Sequence, residues 1–95
     1  MKIPVCVRQY YVFYLELYEN YLWFHTDIFK WSSSVKKNFI EDVNTLQSLL
    51  PLPLLALVTE DNKKLAKFAK LTGWKHMKNL ILNDGSKASI FSWSK

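Results

Sequence analysis

The sequence predicts an α/β domain with a mixed, largely antiparallel sheet and two main helices, on three observations. Residues 3 to 30 are dominated by β-branched and aromatic side chains, which favour a pleated surface. Residues 34 to 50 change to a helical period, and residues 54 to 93 run from a short apolar segment through a second helical stretch to a pair of strand-like segments. At 95 residues the chain has room for one domain, 1–95, and its 49% apolar and 16% aromatic content can build a core from large rings.

The first region reads as two or three antiparallel strands. Its clearest hairpin spans roughly 9 to 18 and 21 to 30, with Glu19-Asn20 as the turn. Alternation along the second strand puts Leu22, Phe24, Thr26 and Ile28 on one face and Tyr21, Trp23, His25, Asp27 and Phe29 on the other. Both faces are expected to be at least partly covered.

In "WSSSVKKNFIEDVNTLQSLL", Val35, Phe39, Val43, Leu46 and Leu50 follow one another at spacings of four, four, three and four, which is one helical stripe. Ser32, Ser33 and Ser34 offer hydroxyls to the first N–H groups, and Pro51 and Pro53 end the helix. "LLALVTE" then reads as a strand buried on both faces. For the second helix, Asp61 is the expected N-cap and Leu65, Phe68, Ala69 and Thr72 the inward stripe. Gly73 stands where a left-handed residue commonly stops a helix. Strands over 75 to 82 and 86 to 93 flank "NDGS", a hairpin turn.

Composition excludes several classes. Cys6 is the only cysteine, so no internal disulfide forms, and one Cys with two His cannot complete a structural zinc site; no metal is expected. The longest apolar run, 49 to 58, holds two prolines and is about half of what crosses a bilayer, so no membrane partner is expected. "MKIPVCVRQYY" lacks the apolar region of a secretory signal, which predicts an intracellular protein whose mature form is the whole chain. Residues 61 to 95 carry eight Lys against Asp61 and Asp84, a balance of +6, while residues 1 to 60 balance at -1. An anionic partner would meet the second half.

The stretch "ALVTEDNKKLAKFAKLTGWK" resembles the GNAT acyltransferase superfamily, in which a strand leads through an Asn to a helix ending in Gly-Phe. Asn62, Gly73 and Trp74 stand at those positions. With "LPLPL" before it and "NDGSKASIFSW" after it, the chain looks like the small GNAT-like proteins encoded by bacteriophages, shortened at its N-terminus. The resemblance covers about residues 10 to 93. It implies a truncated GNAT-like fold, acetyl-CoA as cofactor, an amine acceptor, and transfer of an acyl group to nitrogen, in the host cytoplasm for a phage-encoded protein. The strands at 21 to 30 and 54 to 60 would splay around the pantetheine. The phosphates would sit at the helix start near 34, on Phe29, Lys30, Trp31, Ser32, Ser33, Ser34, Val35, Lys36 and Lys37, with Asn62 nearby. Three departures stand against the family pattern. "KWSSSVKKN" lacks the glycines of the phosphate loop, Phe68 and Ala69 stand where many members carry a proton-donating Tyr, and the family's first strand and helices have no room before residue 3.

His25 and Asp27, on one strand face, are the candidates for a general base toward an amine, set against the plainer reading of a half-buried His beside a surface Asp. The lysine stripe at 63, 67 and 70 reads more readily as a solvated face than as a nucleic-acid surface. A non-catalytic interaction or virion-associated module that keeps the fold is the alternative function. The missing first strand predicts an uncovered edge and a homodimer through residues 3 to 18.

Overall fold

A computed structural model describes residues 1 to 93, an α/β chain with strands β1 (Ile3–Val7), β2 (Tyr11–Tyr18), β3 (Tyr21–Ile28), β4 (Leu54–Thr59), β5 (Trp74–Ile81) and β6 (Lys87–Trp93). Its helices are α1 (Ser33–Ser48) and α2 (Lys63–Leu71). The chain divides into two compact units, Met1–Leu54 and the residues from Leu55 onward.

In the first unit β1, β2 and β3 form an antiparallel meander. The β2–β3 turn is set by two residues at positive φ, Glu19 at 50° and Asn20 at 67°, the pair that a two-residue type I′ hairpin turn requires. Register then follows: Phe13 pairs with Thr26, Leu15 with Phe24 and Tyr14 with His25. Paired residues share a face, so Tyr11, Phe13 and Phe24 line up beneath α1. Phe39 is the centre of this core. It is fully buried and meets the rings of Tyr11, Phe13, Phe24 and Trp31 edge-on at centroid distances of 5.3, 4.8, 6.3 and 5.8 Å, a geometry that the opposed charge of ring edge and face favours. Val35 and Val43 extend the same helical stripe, as its spacing predicts. Pro4 is accommodated because β1 is an edge strand, with a bulge between Pro4 and Cys6.

In the second unit β6 lies between β4 and β5, antiparallel to both. Val58 of β4 is buried, whereas Leu57 is 40% exposed. The expectation of a strand buried on both faces therefore fails: within this unit one helix covers one face, and a continuous apolar run does not report how many faces are covered. The N-cap of α2 also differs from the expected Asp61. Asn62 holds that position, its side-chain oxygen accepting the Leu65 N–H at 3.1 Å. The Asn62 N–H donates to the Thr59 carbonyl at 3.0 Å, and this turn fixes which of two adjacent cap-forming residues enters the helix last. Gly73 leaves α2 at φ 98°, a conformation that L side chains rarely adopt. Trp74, Phe91 and Trp93 then bury their rings, with Trp74 and Trp93 edge-to-face at 5.2 Å.

Candidate functional site

The start of α1 in the first unit carries most of the residues that the sequence singles out. Phe29 follows β3 directly and is tied back by its N–H to the Tyr10 carbonyl at 2.8 Å, leaving its ring 65% exposed. Lys30 places its ammonium 5.4 Å from the centre of the Tyr10 ring. Trp31 packs its edge on Phe39. Ser32 is the N-cap: its hydroxyl oxygen accepts the Val35 N–H at 3.2 Å and lies 3.1 Å from the Ser34 hydroxyl, while its carbonyl accepts the Lys36 N–H at 2.9 Å. Ser33 and Ser34, at the first two helical positions, keep N–H groups that no carbonyl of the helix can reach. Their side chains are exposed, as is that of Lys37, and Lys36 is half-buried.

Val35 has a different place from its neighbours. Its side chain is almost wholly in the core and its N–H is taken by Ser32, so it offers an anion no donor. Asn62 belongs to the second unit, where its side-chain oxygen is engaged in capping α2.

His25 and Asp27 lie on the sheet face opposite α1, and each is paired diagonally across β2. His25 Nε2 is 3.0 Å from Glu16 Oε1, and the Tyr14 hydroxyl donates to Asp27 Oδ2 at 3.0 Å. The His25 contact holds the Glu16 carboxyl below the usual carboxylate range, and donation to Asp27 pushes the Tyr14 phenol up. This face thus carries two ordered polar pairs rather than the one His and one Asp that alternation alone brings together. Trp23 shares the face, with an indole N–H that is buried and has no hydrogen-bond partner among the described residues.

A third cluster was not visible from local spacing. Asp42 on α1 accepts from Arg8 Nε at 2.9 Å, from Arg8 Nη2 at 3.0 Å and from the Tyr11 hydroxyl at 2.6 Å. The Arg8 hydrogen bond, aided by that of Tyr11, holds the Asp42 carboxyl below its ordinary range, against the effect of burial. Burial first, and Asp42 second, push the Cys6 thiol up, which disfavours its thiolate form. A groove of about 450 Å³ opens here, lined by Tyr10, Val35, Asn38, Glu41 and the Arg8–Asp42 pair, along the first turns of α1. The only sequence signal for it was an Arg in a strand-rich segment and an Asp on the helix, 34 positions apart.

Among the described residues no three His, Cys, Asp or Glu side chains are grouped to hold a metal ion, and no helix is long and apolar enough to cross a membrane. Comparison with protein-family models, with curated proteins and with solved structures finds no match for the chain.

Proposed function

We propose that this chain is a GNAT-like protein of bacteriophage descent that binds acyl-CoA at the start of α1 and is by ancestry an N-acetyltransferase. The observation that carries the reading is the capped start of α1, immediately after β3. The Ser33 and Ser34 N–H groups, the Ser34 hydroxyl and the neighbouring Lys36 and Lys37 all lie within the first five residues of a 16-residue helix, whose positive end favours an anion. These donors suit phosphate oxygens. Acetyl-CoA would supply an acyl thioester already activated for transfer.

The chain's own contribution would be to hold the phosphates and to take a proton. An amine acceptor must be neutral to attack a thioester carbonyl; as its N–C bond forms and the C–S bond breaks, one proton leaves the nitrogen and the thiolate requires one. His25, steadied by Glu16, is the group on the outer sheet face suited to receive the first. At α2, Phe68 and Ala69 can donate none.

That last observation, with Asp27 already accepting from Tyr14, favours a second reading: a non-catalytic interaction or virion-associated module that keeps the fold. Calorimetric titration with acetyl-CoA separates the two. Binding that weakens at least tenfold in Lys36→Ala/Lys37→Ala supports the α1 site; equal affinity in that variant refutes it. No heat with the wild-type chain removes the acyl-CoA reading and leaves the interaction module.

A further inference from the structure

The second unit holds a groove of about 380 Å³ between α2 and its sheet, which shares no residue with the acyl-CoA site proposed at α1. Lys63, Lys67 and Lys70 line it from the helix, Val58 and Ser89 from β4 and β6, and Glu60 is its one carboxylate. None of the three lysines has a carboxylate within 4.0 Å, and no other described lysine of this unit does either. Asp84 is spent on its own turn, accepting from the Ser86 N–H at 2.9 Å and from the Ser86 hydroxyl.

Charge is segregated along the chain in the same sense. Residues 1 to 54 carry five basic and five acidic side chains, and residues 55 to 95 carry eight Lys against Glu60, Asp61 and Asp84, so 0 and +5 account for the whole net charge of +5. A helix face that served only for solubility gains most from interspersed signs, with Glu placed four residues from Lys. Here α2 has four lysines and no acid.

We infer that this groove binds the phosphate backbone of duplex nucleic acid without reading its sequence. Lysine is a point charge that suits phosphate and imposes no geometry on it. Single strands are held chiefly by stacking on exposed aromatic rings. The second unit offers little for this: Trp74, Phe91 and Trp93 are buried, Phe68 is half-buried, and the one exposed ring among its described residues, His76, already meets Phe91 at 5.4 Å. Lys63 to Lys70 extends about 10 Å along the helix at ~1.5 Å per residue, the length of duplex axis over which one strand presents about three phosphates at ~3.4 Å of rise each.

Three neutralised phosphates fix the expected salt dependence. The slope of log affinity against log salt should contain a share of about -2.7 from these lysines, so their part of the binding falls about 40-fold between roughly 50 and 200 mM salt. The test is fluorescence anisotropy of the full chain with a random-sequence 20-base-pair DNA duplex across that range. Lys63→Gln/Lys67→Gln/Lys70→Gln should make the slope shallower by about 2 to 3, and Lys67→Gln alone by about 0.9. The charge-matched Lys75→Gln/Lys78→Gln/Lys87→Gln should leave it within one unit of the wild type. Far-UV circular dichroism confirms that each variant is folded, and the single substitution serves if the triple one is not. Four results would overturn the inference: no binding at low salt, equal slopes in the two triple variants, tighter binding of a single strand of the same length, or full displacement of the duplex by equimolar poly-glutamate, which would assign the groove to an acidic protein.

Discussion

Removing the Asp42 carboxylate tests whether the Arg8–Asp42–Tyr11 cluster fastens α1 to the strands beneath it. Asp42→Ala deletes four hydrogen bonds at once, the weakest of them from the Cys6 thiol at 3.9 Å. The Arg8 share is small, because that side chain is 57% exposed and water replaces the carboxylate. The Tyr11 share is larger: its ring is 3% exposed, and its hydroxyl loses a charged acceptor at 2.6 Å. A polar group stranded in this way costs about 1–3 kcal/mol, so about 2 kcal/mol is expected for Asp42→Ala and about 1 kcal/mol for Tyr11→Phe, which removes the donor with its need for a partner. The double variant should cost about 1 kcal/mol less than the sum, since both changes break the same bond. Urea unfolding at pH 7, followed at 222 nm, measures all three. Acidity supplies a second check. Asp42 titrates lower in the folded chain than in the unfolded one, chiefly through Arg8, so its stabilisation is complete above about pH 4 and is lost as pH falls through its own, lower value. Tyr11 is pushed up by burial and then by Asp42, so its share holds below about pH 10 and is lost above it as the unfolded phenol ionises. A cost under about 0.5 kcal/mol for Asp42→Ala, the range of ordinary surface changes, would refute the fastening role.

Asn62→Ala should cost about 1 kcal/mol through loss of the α2 cap, with Asn62→Asp close to the wild type; an equal cost from Asp61→Ala in the same urea experiment would return the cap to position 61. The edge strand β1 leaves Ile3, Val5 and Val7 exposed at 57, 42 and 71%, so the chain should sediment as a homodimer at micromolar concentration. Ile3→Asp and Val7→Asp should each give a monomer, and a wild-type monomer throughout that range would reject this edge as an interface. Phe13, also in the segment 3 to 18, is fully buried and would report unfolding instead.

The elements were legible wherever one period dominated a segment. The Val35, Phe39, Val43 stripe needs no knowledge of what lies beneath it, and the turns at Glu19-Asn20 and Asp84-Gly85 are announced by Asn20 and Gly85, residues that tolerate the positive φ they adopt. Legibility failed where two residues of equal local merit competed, as Asp61 and Asn62 did, and where coverage depends on the number of neighbouring layers, as for Leu57. The side-chain partnerships failed for another reason. Glu16 and His25 are nine positions apart, Tyr14 and Asp27 thirteen, and both pairs are diagonals across β2 and β3. A one-residue change of register would move every member to the opposite face, so such pairs become readable only when the turn and register are fixed together.

The residues with the strongest sequence signal for chemistry prove to be those most fully employed by the fold. Ser32 spends its hydroxyl on the Val35 N–H, Asn62 its oxygen on Leu65, Asp27 one oxygen on Tyr14 and His25 one nitrogen on Glu16. The reason is physical: short polar side chains that recognise ligands are also those that satisfy stray backbone and side-chain groups, and folding supplies such groups first. Capacity for an outside partner is therefore better sought among groups that the fold leaves unmatched. In the first unit these are the Ser33 and Ser34 N–H groups beside Lys36 and Lys37; in the second they are the unpaired lysines of α2 above Val58 and Ser89. Both would select an anion. They differ in form, because one is a compact helix start suited to a single phosphate group and the other a line of charges suited to a repeating one, so acetyl-CoA and duplex DNA should each be weakened by substitutions in one set and indifferent to those in the other.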